Sequence, residues 1–457
     1  MNEGAARGAR LELDDLRDLI HQGAIDTVVV AITDMQGRLQ GKRCSARYFL
    51  EEVLEEGTEA CNYLLAVDVE MRTVDGYSMS SWERGYGDFV MRPDMSTLRL
   101  MPWIPGTALV LCDLEWDDGS PVEASPRQVL KRQLARLAER DMVAMVGTEL
   151  EFIIFQETYE QAWRLGYQNL TPANQYNVDY SIAGTSRVEH FLRRTRNEMT
   201  RAGMYVESAK GECNLGQHEI AFRYTDALHT CDNHAIYKTG AKEIAQQEGL
   251  SLTFMAKWDA REGNSCHMHI SLRSAAGDLI MAGPGKHGFS PLMGQFIAGQ
   301  LACARELTYF FAPNVNSYKR YTAGSFAPTA LAWGRDNRTC ALRIVGNGPS
   351  LRVESRLPGG DVNPYLGVAA LIAAGLYGIN TQLPLPPEIE GNAYQSEAPR
   401  VPGSLAEAAQ LLSDSKVALE SFGPTVVEHY LNAARVELEA FGRAVTDWER
   451  VRGFERL

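Results

Sequence analysis

Glu149 and Glu151 stand two residues apart in Val146-Gly147-Thr148-Glu149-Leu150-Glu151-Phe152-Ile153-Ile154-Phe155, a run whose composition reads as a β-strand. The strand period of two turns both carboxylates to one face. Within an apolar strand such a pair is costly unless a cation lies between the two; a half-solvated strand with its acids in water is the plainer alternative. A second pair, Glu212 and Glu219, occurs in the turn-rich Gly211-Glu212-Cys213-Asn214-Leu215-Gly216-Gln217-His218-Glu219, which leads into the strand-like Glu219 to Arg223. A loop that brings two glutamates to one point suits a hard cation with oxygen ligands, although surface acids are common in loops.

Two further patterns carry chemistry. In Gly263-Asn264-Ser265-Cys266-His267-Met268-His269-Ile270-Ser271-Leu272, strand alternation puts His267, His269 and Ser271 on one face, and the preceding glycine lets a ligand approach the backbone. The pattern suits a metal site or a hydrogen-bonded surface pair, and one imidazole among carboxylates would admit Mn2+ as well as Mg2+. In Leu351-Arg352-Val353-Glu354-Ser355-Arg356-Leu357-Pro358, Arg352, Glu354 and Arg356 point to one side. That stripe is either a cross-strand ion-pair ladder or a site where arginines clamp phosphoryl or carboxylate oxygens around a metal-binding Glu354. Arg320, Arg338 and Arg343 follow the same logic in Asn316-Ser317-Tyr318-Lys319-Arg320-Tyr321 and Asp336-Asn337-Arg338-Thr339-Cys340-Ala341-Leu342-Arg343. No phosphate-binding lysine loop or dinucleotide glycine motif stands between a strand and a helix, so ATP, if used, must be held by metals and arginines.

The elements that position these groups are legible in outline. The chain has 457 residues, 45% of them hydrophobic, enough for a large core or two domains. Its formal net charge of −13 argues against nucleic-acid binding. The cysteines Cys44, Cys61, Cys112, Cys213, Cys231, Cys266, Cys303 and Cys340 show no C-x-x-C pair and read as reduced thiols of a cytoplasmic protein. The first residues, MNEGAARGARLELDD, lack the apolar centre of a secretory signal. The longest apolar run, Tyr365 to Ile379, is shorter than a bilayer span and reads as a buried helix started by Asn363-Pro364, so no membrane partner is expected.

A helical pattern (Leu13, Leu16, Ile20) precedes the β-branched run Thr27 to Thr33 and the turn Asp34-Met35-Gln36-Gly37, as in a helix leading to a hairpin. A strand over Ala108 to Leu114 ends in Asp117-Asp118-Gly119-Ser120-Pro121, and a helix carrying Val129, Leu130, Leu134 and Leu137 on one face begins after Ser125-Pro126. The domain boundary is placed there, giving a small α+β part over 1–120 and a large catalytic part over 121–457. Pro384 to Pro402 reads as a surface loop, and two amphipathic helices, Leu405 to Phe422 and Val426 to about Val445, close the chain.

In order and spacing, these motifs resemble the bacterial type I glutamine synthetase family along essentially the whole chain, including Asp88 and the stretch Met91-Arg92-Pro93-Asp94-Met95-Ser96-Thr97-Leu98 with Pro102-Trp103. The resemblance implies an α+β fold: an N-terminal β-grasp domain followed by a catalytic domain whose antiparallel sheet forms a barrel-like site among helices. It implies that Glu151, Glu212 and Glu219 hold a first metal and Glu149, His267 and Glu354 a second. His269 and Ser271 would bind nucleotide, with Arg343 and Arg352 near its phosphates. Arg320, Arg356 and Asn264 would bind glutamate, and Arg338, bridging substrate and phosphate, would act with Arg356 in catalysis. The implied reaction is ATP-dependent ligation of the glutamate γ-carboxylate to an amine through γ-glutamyl phosphate, with Mg2+ or Mn2+.

One departure concerns the amine. Ammonia-using members carry a glutamate in the loop after S-Y-K-R; aligning Arg320-Tyr321-Thr322-Ala323-Gly324-Ser325-Phe326-Ala327-Pro328 puts Phe326 in its place. The neighbouring subunit's aspartate of that site is matched by Asp75 in Asp75-Gly76-Tyr77-Ser78. Asn264-Ser265-Cys266, replacing a run of small residues, resembles the branch that makes γ-glutamyl amides of larger amines. Losing an acid favours a small monoamine such as ethanolamine over a polyamine such as putrescine, whose distal ammonium would want a carboxylate. An ammonia-using synthetase and an inactive structural relative remain the alternatives. The resemblance also implies a dodecamer with active sites between subunits, while Tyr394, in Gly391-Asn392-Ala393-Tyr394-Gln395, has no convincing adenylylation context.

Overall fold

The computed structural model describes residues 11–457. Most of the segment on which the absence of a secretory signal was read lies outside the described residues. The first sheet holds β1 (Thr27–Thr33), β2 (Leu39–Ser45), β3 (Thr58–Cys61), β4 (Asp88–Pro93), β5 (Arg99–Leu100) and β6 (Thr107–Glu115), in the order β2-β1-β6-β4-β3 with β5 beside β6. The expected hairpin is β1–β2, antiparallel in register Thr27 to Ser45 through Thr33 to Leu39, whereas β1 and β6 run parallel. Helix Leu13–His21 precedes it, with Leu16 buried.

The second sheet holds β7 (Met142–Phe155), β8 (Val206–Gly211), β9 (Gln217–Phe222), β10 (Thr225–Asp226), β11 (Ser251–Thr253), β12 (Cys266–Ser274), β13 (Trp333–Arg335), β14 (Leu342–Val345) and β15 (Arg352–Ser355). Its order is β13-β14-β15-β12-β7-β9-β8, with β10 and β11 also on β7. Every pairing in it is antiparallel except β13–β14. The architecture is thus α+β, with a small sheet followed by a large, nearly closed barrel-like one. The division proposed near residue 120 falls between the two sheets.

Alternation on β7 divides the large sheet into two faces. Leu150 and Phe152 are buried on one side, against helix Ala227–Gln247, whose Thr230 Oγ1 donates to the Val146 carbonyl at 2.7 Å. Glu149 and Glu151 therefore face the other side. The apolar run forms helix Pro364–Asn380, buried along nearly all its length, with Asn363 Oδ1 accepting from the Tyr365 amide at 3.1 Å. It packs on helix Pro291–Cys303, where a Cβ on Gly299 would stand 2.6 Å from the Gly378 nitrogen and one on Gly378 equally close to that of Gly299. Only glycine permits so close an approach. Among the described residues no helix is long and apolar enough to cross a membrane.

The two sheets are clasped by polar groups. Asn363 Nδ2 donates to the carbonyls of Asp34 (3.0 Å) and Met35 (3.1 Å), tying the β1–β2 turn to the buried helix. Arg127, 3% exposed, bonds Asp94 and Asp113 (2.7 Å each) from the first sheet and Asp232 (3.1 Å) from the second region. Tyr365 donates its hydroxyl to the same Asp232 at 2.7 Å.

The C-terminal reading needs correction. Leu405 to Phe422 is two helices, Leu405–Ser413 and Lys416–Phe422, because Ser415 leaves the helical path and caps the second by accepting from the Ala418 amide at 2.9 Å. The next helix, Pro424–Arg443, begins at a proline and is followed by a further one, Asp447–Gly453, started by a Thr446 capping box.

Candidate active site

Strand register lines the polar residues up across the large sheet. Glu149 lies opposite His267, Glu151 opposite Glu219, Glu219 opposite Lys210, His269 opposite Glu354, and Glu354 opposite Arg343. Ser271 follows on the same β12 face, opposite Met145. These rows meet in a cavity of about 510 Å³, whose wall includes Glu149, Glu151, Glu212, Glu219, His267 and Glu354.

Two donor groups form within it. One ligand atom each of Glu151, Glu212 and Glu219 lie within 4.8 Å of one another, and so do those of Glu149, His269 and Glu354. His267 Nδ1 stands beside that group, 3.4 Å from Glu149 and 3.6 Å from Glu354. Burial works to raise the Glu149 carboxyl, but hydrogen bonds to His267 and His269 outweigh it and hold the group far below the usual carboxylate range. At Glu354 burial is likewise outweighed, by the charges of His267 and Arg356 first, bringing it down to about 2. Glu219 moves the other way, pushed well up by burial and by the Glu149 charge against the opposing pull of Lys210.

These donors fit divalent cations. Three carboxylates crowded in a nearly buried site repel one another, and a cation between them would offset that repulsion. In the second group His269 Nε2 is buried and stands 3.0 Å from Glu149 Oε1. A mixed imidazole and carboxylate set suits Mg2+ or Mn2+. Adding either ion should therefore raise the thermal unfolding midpoint, by the equivalent of about 2.7 kcal/mol at a hundredfold excess over Kd, and EDTA should reverse it. A midpoint indifferent to both ions would count against the assignment.

The arginines surround the second group. Arg343 donates to Glu354 at 2.8 Å and to Asp336 at 2.9 Å, and Arg356 donates to Glu354 and, at 3.2 Å, to the Phe326 carbonyl. Arg352 Nε donates to His269 Nδ1 at 3.1 Å. Arg320 is buried and held by the carbonyls of Arg356 and Leu357. Among the described residues, the buried Nε atoms of Arg320 and Arg356 have no hydrogen-bond partner. Arg320, Arg338, Arg343 and Arg356 line the cavity, as does Phe326, which is 54% exposed with a φ of 56°. Tyr394 lies behind that loop and donates its hydroxyl to the Ala327 carbonyl at 3.1 Å.

His269, Ser271 and Arg352 are not in the cavity wall, and two further expected residues lie elsewhere. The Asn264 side chain is fully buried behind the wall: its amide donates to the Thr253 and Met255 carbonyls, and its oxygen accepts from Gln217. Its neighbours Gly263 and Ser265 reach the cavity instead, because strand entry turns alternate residues away. Asp75 is exposed, with its carbonyl held by Asn432 and Arg435 on helix Pro424–Arg443, and does not line this chain's cavity. Gln217, Lys210 and Tyr180 are among the cavity residues that carried no expected role. Gln217 donates to Glu151 at 3.0 Å. Lys210 touches Glu212, and Tyr180 lies beneath its ammonium at 5.0 Å. Gln217 stood inside a quoted motif and Lys210 two residues before Glu212, the same-face spacing that linked Glu149 to Glu151.

Residues 123–452 match the glutamine synthetase catalytic domain family. The chain belongs to the glutamine synthetase family. Members of this family use ATP and divalent metal ions. The chain is 64% identical over 453 residues, 99% of its own length and 98% of the relative's, to the γ-glutamylethanolamide synthetase GlnA4 of Streptomyces coelicolor. It is 36% identical over 443 residues, 96% of both chains, to a glutamate–isopropylamine ligase of a Pseudomonas species. Its fold matches a solved complex of GmaS with ADP at a TM-score of 0.85, with 30% identity, over 96% of this chain and 99% of the other.

Proposed function

We propose that this protein is an ATP-dependent glutamate–amine ligase whose preferred amine is a small primary monoamine, ethanolamine first among them. The observation that carries this choice is the half-exposed Phe326 ring in the cavity wall, where ammonia-using relatives are expected to carry an acid. The 64% identity to a γ-glutamylethanolamide synthetase supports it.

In this reading Glu151, Glu212 and Glu219 would hold one cation and Glu149, His269 and Glu354 another, which would supply positive charge against phosphate and carboxylate oxygens. Arg320 and Arg356 orient the glutamate, their unpartnered Nε atoms being donors awaiting an anion. Arg343 and Arg352, with Ser271, hold the nucleotide, and Arg338 bridges substrate and phosphate. The glutamate γ-carboxylate then attacks the terminal phosphorus and ADP leaves, a transfer that rests on positioning and charge. The amine nitrogen attacks the acyl carbon of γ-glutamyl phosphate, phosphate departs, and the nitrogen loses a proton. Phe326 closes the amine side with a ring, which excludes water from the reactive acyl phosphate. Asp75 reaches such a pocket only from a neighbouring copy, which suits a dodecamer with sites between subunits. With its eight thiols unpaired, the protein belongs in the cytoplasm.

The test is a side-by-side assay of ammonium, ethanolamine, putrescine and spermidine at equal free-amine concentration, with products identified by mass. Ethanolamine should be used fastest: two methylenes against the ring, at ~0.8 kcal/mol each, are equivalent to about tenfold. Phe326→Glu should raise ammonium use relative to ethanolamine by a similar factor, since a carboxylate attracts ammonium and accepts its proton. Glutamine formed faster than any amide by the wild type would make it an ordinary glutamine synthetase. Absence of phosphate release with every amine would make it an inactive relative.

A further inference from the structure

Arg320, 3% exposed in the cavity wall, is carried by the short turn Ser317–Arg320. Its guanidinium donates to the carbonyls of Arg356 and Leu357, and the Tyr321 hydroxyl donates to that of Leu357 at 2.9 Å. A carboxylate holds the other end of the turn. Asp361 Oδ2 accepts from the Ser317 hydroxyl at 2.6 Å and from Asn314 Nδ2 at 2.9 Å, and Ser317 Oγ accepts from the Asn314 amide at 3.0 Å. Leu357 and Asp361 belong to one segment, which is itself fixed. The Cys266 amide, at the start of β12, donates to the Pro358 carbonyl, and the Gly360 amide donates to the Asn264 carbonyl, each at 3.0 Å. Lys238 Nζ, from helix Ala227–Gln247, donates to the Gly360 carbonyl at 2.8 Å. Gly359 leaves room between the two anchors, since a Cβ there would stand 2.8 Å from Asp361 Oδ1 and 3.5 Å from Arg320 Nε. Asp361, Ser317 and Asn314 belong to neither cation-binding group, and Asp361 does not line the cavity.

We infer that Asp361 is a positioning residue, which fixes the turn carrying Arg320 and so sets the affinity of the site for glutamate. The inference rests on the role given to Arg320 above. A long side chain binds a carboxylate well only when little of it remains to be ordered on binding. Here the Leu357 carbonyl fixes the guanidinium and the Asp361 carboxylate fixes the backbone behind it. Both belong to a segment bonded to β12, the strand of His267 and His269, so the glutamate arginine is held in register with the cation groups. Asparagine at 361 still accepts from Ser317 and Asn314 through its carbonyl oxygen, whereas alanine accepts from neither.

Thermal unfolding titrations with L-glutamate, in the presence of ADP and Mg2+, read the affinity, and titrations with ADP alone serve as the comparison. Asp361→Ala should weaken glutamate about tenfold, the scale of lost hydrogen bonds to a charged group, and leave ADP within about twofold. Asp361→Asn should stay within about threefold of the wild type for both ligands. Ser317→Ala removes one of the same bonds and should weaken glutamate about threefold, which keeps the test available if Asp361→Ala does not fold. In an Arg320→Met background, adding Asp361→Ala should change glutamate affinity less than about twofold, because an effect exerted through Arg320 disappears with it. Equal weakening of glutamate and ADP, or effects of the two substitutions that add in full, overturns the inference and leaves Asp361 a structural residue. Wild-type glutamate affinity in Arg320→Met overturns the role of Arg320, and this inference with it. The amine preference can fail without altering any of these results, since glutamate binds whichever amine follows.

Discussion

Glu354→Gln is expected to lower phosphate release by about 10³-fold or more while leaving a folded protein, because it removes a charge that several groups at the centre of the site depend on. Glu354 is fully buried between Arg343, Arg356 and the two imidazoles, and its carboxyl is held down to about 2. The glutamine has the same shape but presents an NH2 group to guanidinium donors and offers a cation only a neutral oxygen. Buried Arg356 loses its counter-charge and half-buried Arg343 one of two, keeping Asp336, so some stability should be lost as well. The decisive comparison is activity at saturating Mg2+ and Mn2+, with circular dichroism confirming the fold. Near-normal turnover in a folded variant would reduce the Arg352, Glu354 and Arg356 stripe to an ion-pair ladder.

The second large effect lies away from the chemistry. Arg127→Met should cost about 3–5 kcal/mol of stability, because it strands the buried Asp232 and unties Asp94 and Asp113. Arg127 and Asp232 are 3% and 1% exposed, and the guanidinium reaches all three carboxylates. Urea unfolding followed by tryptophan fluorescence would report the loss as a lower midpoint. Adding Asp232→Asn should restore part of it, since the uncompensated charge is the main penalty. A loss under about 1 kcal/mol would mean that water or Lys131 replaces the guanidinium.

Strand alternation made much of the site legible in advance. The pairs Glu149/Glu151 and His267/His269 and the triad Arg352, Glu354, Arg356 share the catalytic face because a two-residue repeat admits no other arrangement in a regular strand. The apolar run with its Asn363-Pro364 start became the buried helix Pro364–Asn380 for an equally local reason. The break at Ser415 was hidden because a serine inside an amphipathic pattern reads as a polar-face residue until its hydroxyl is seen capping the next turn.

By itself, the sequence determined which residues could carry charge on each strand, where glycine and proline interrupt the chain, and that Phe326 brings no acid to its loop. Those properties are local, set within a few residues by covalent geometry and side-chain chemistry. Only the tertiary structure decided that Lys210 faces Glu219, that His269 comes together with Glu149 and Glu354, that Asn264 points behind the wall, and that Arg127 joins the two sheets. Each depends on register between strands far apart in the chain, or on which of two faces the core covers. Those choices follow from burying the whole apolar surface at once, and no short window of residues contains them.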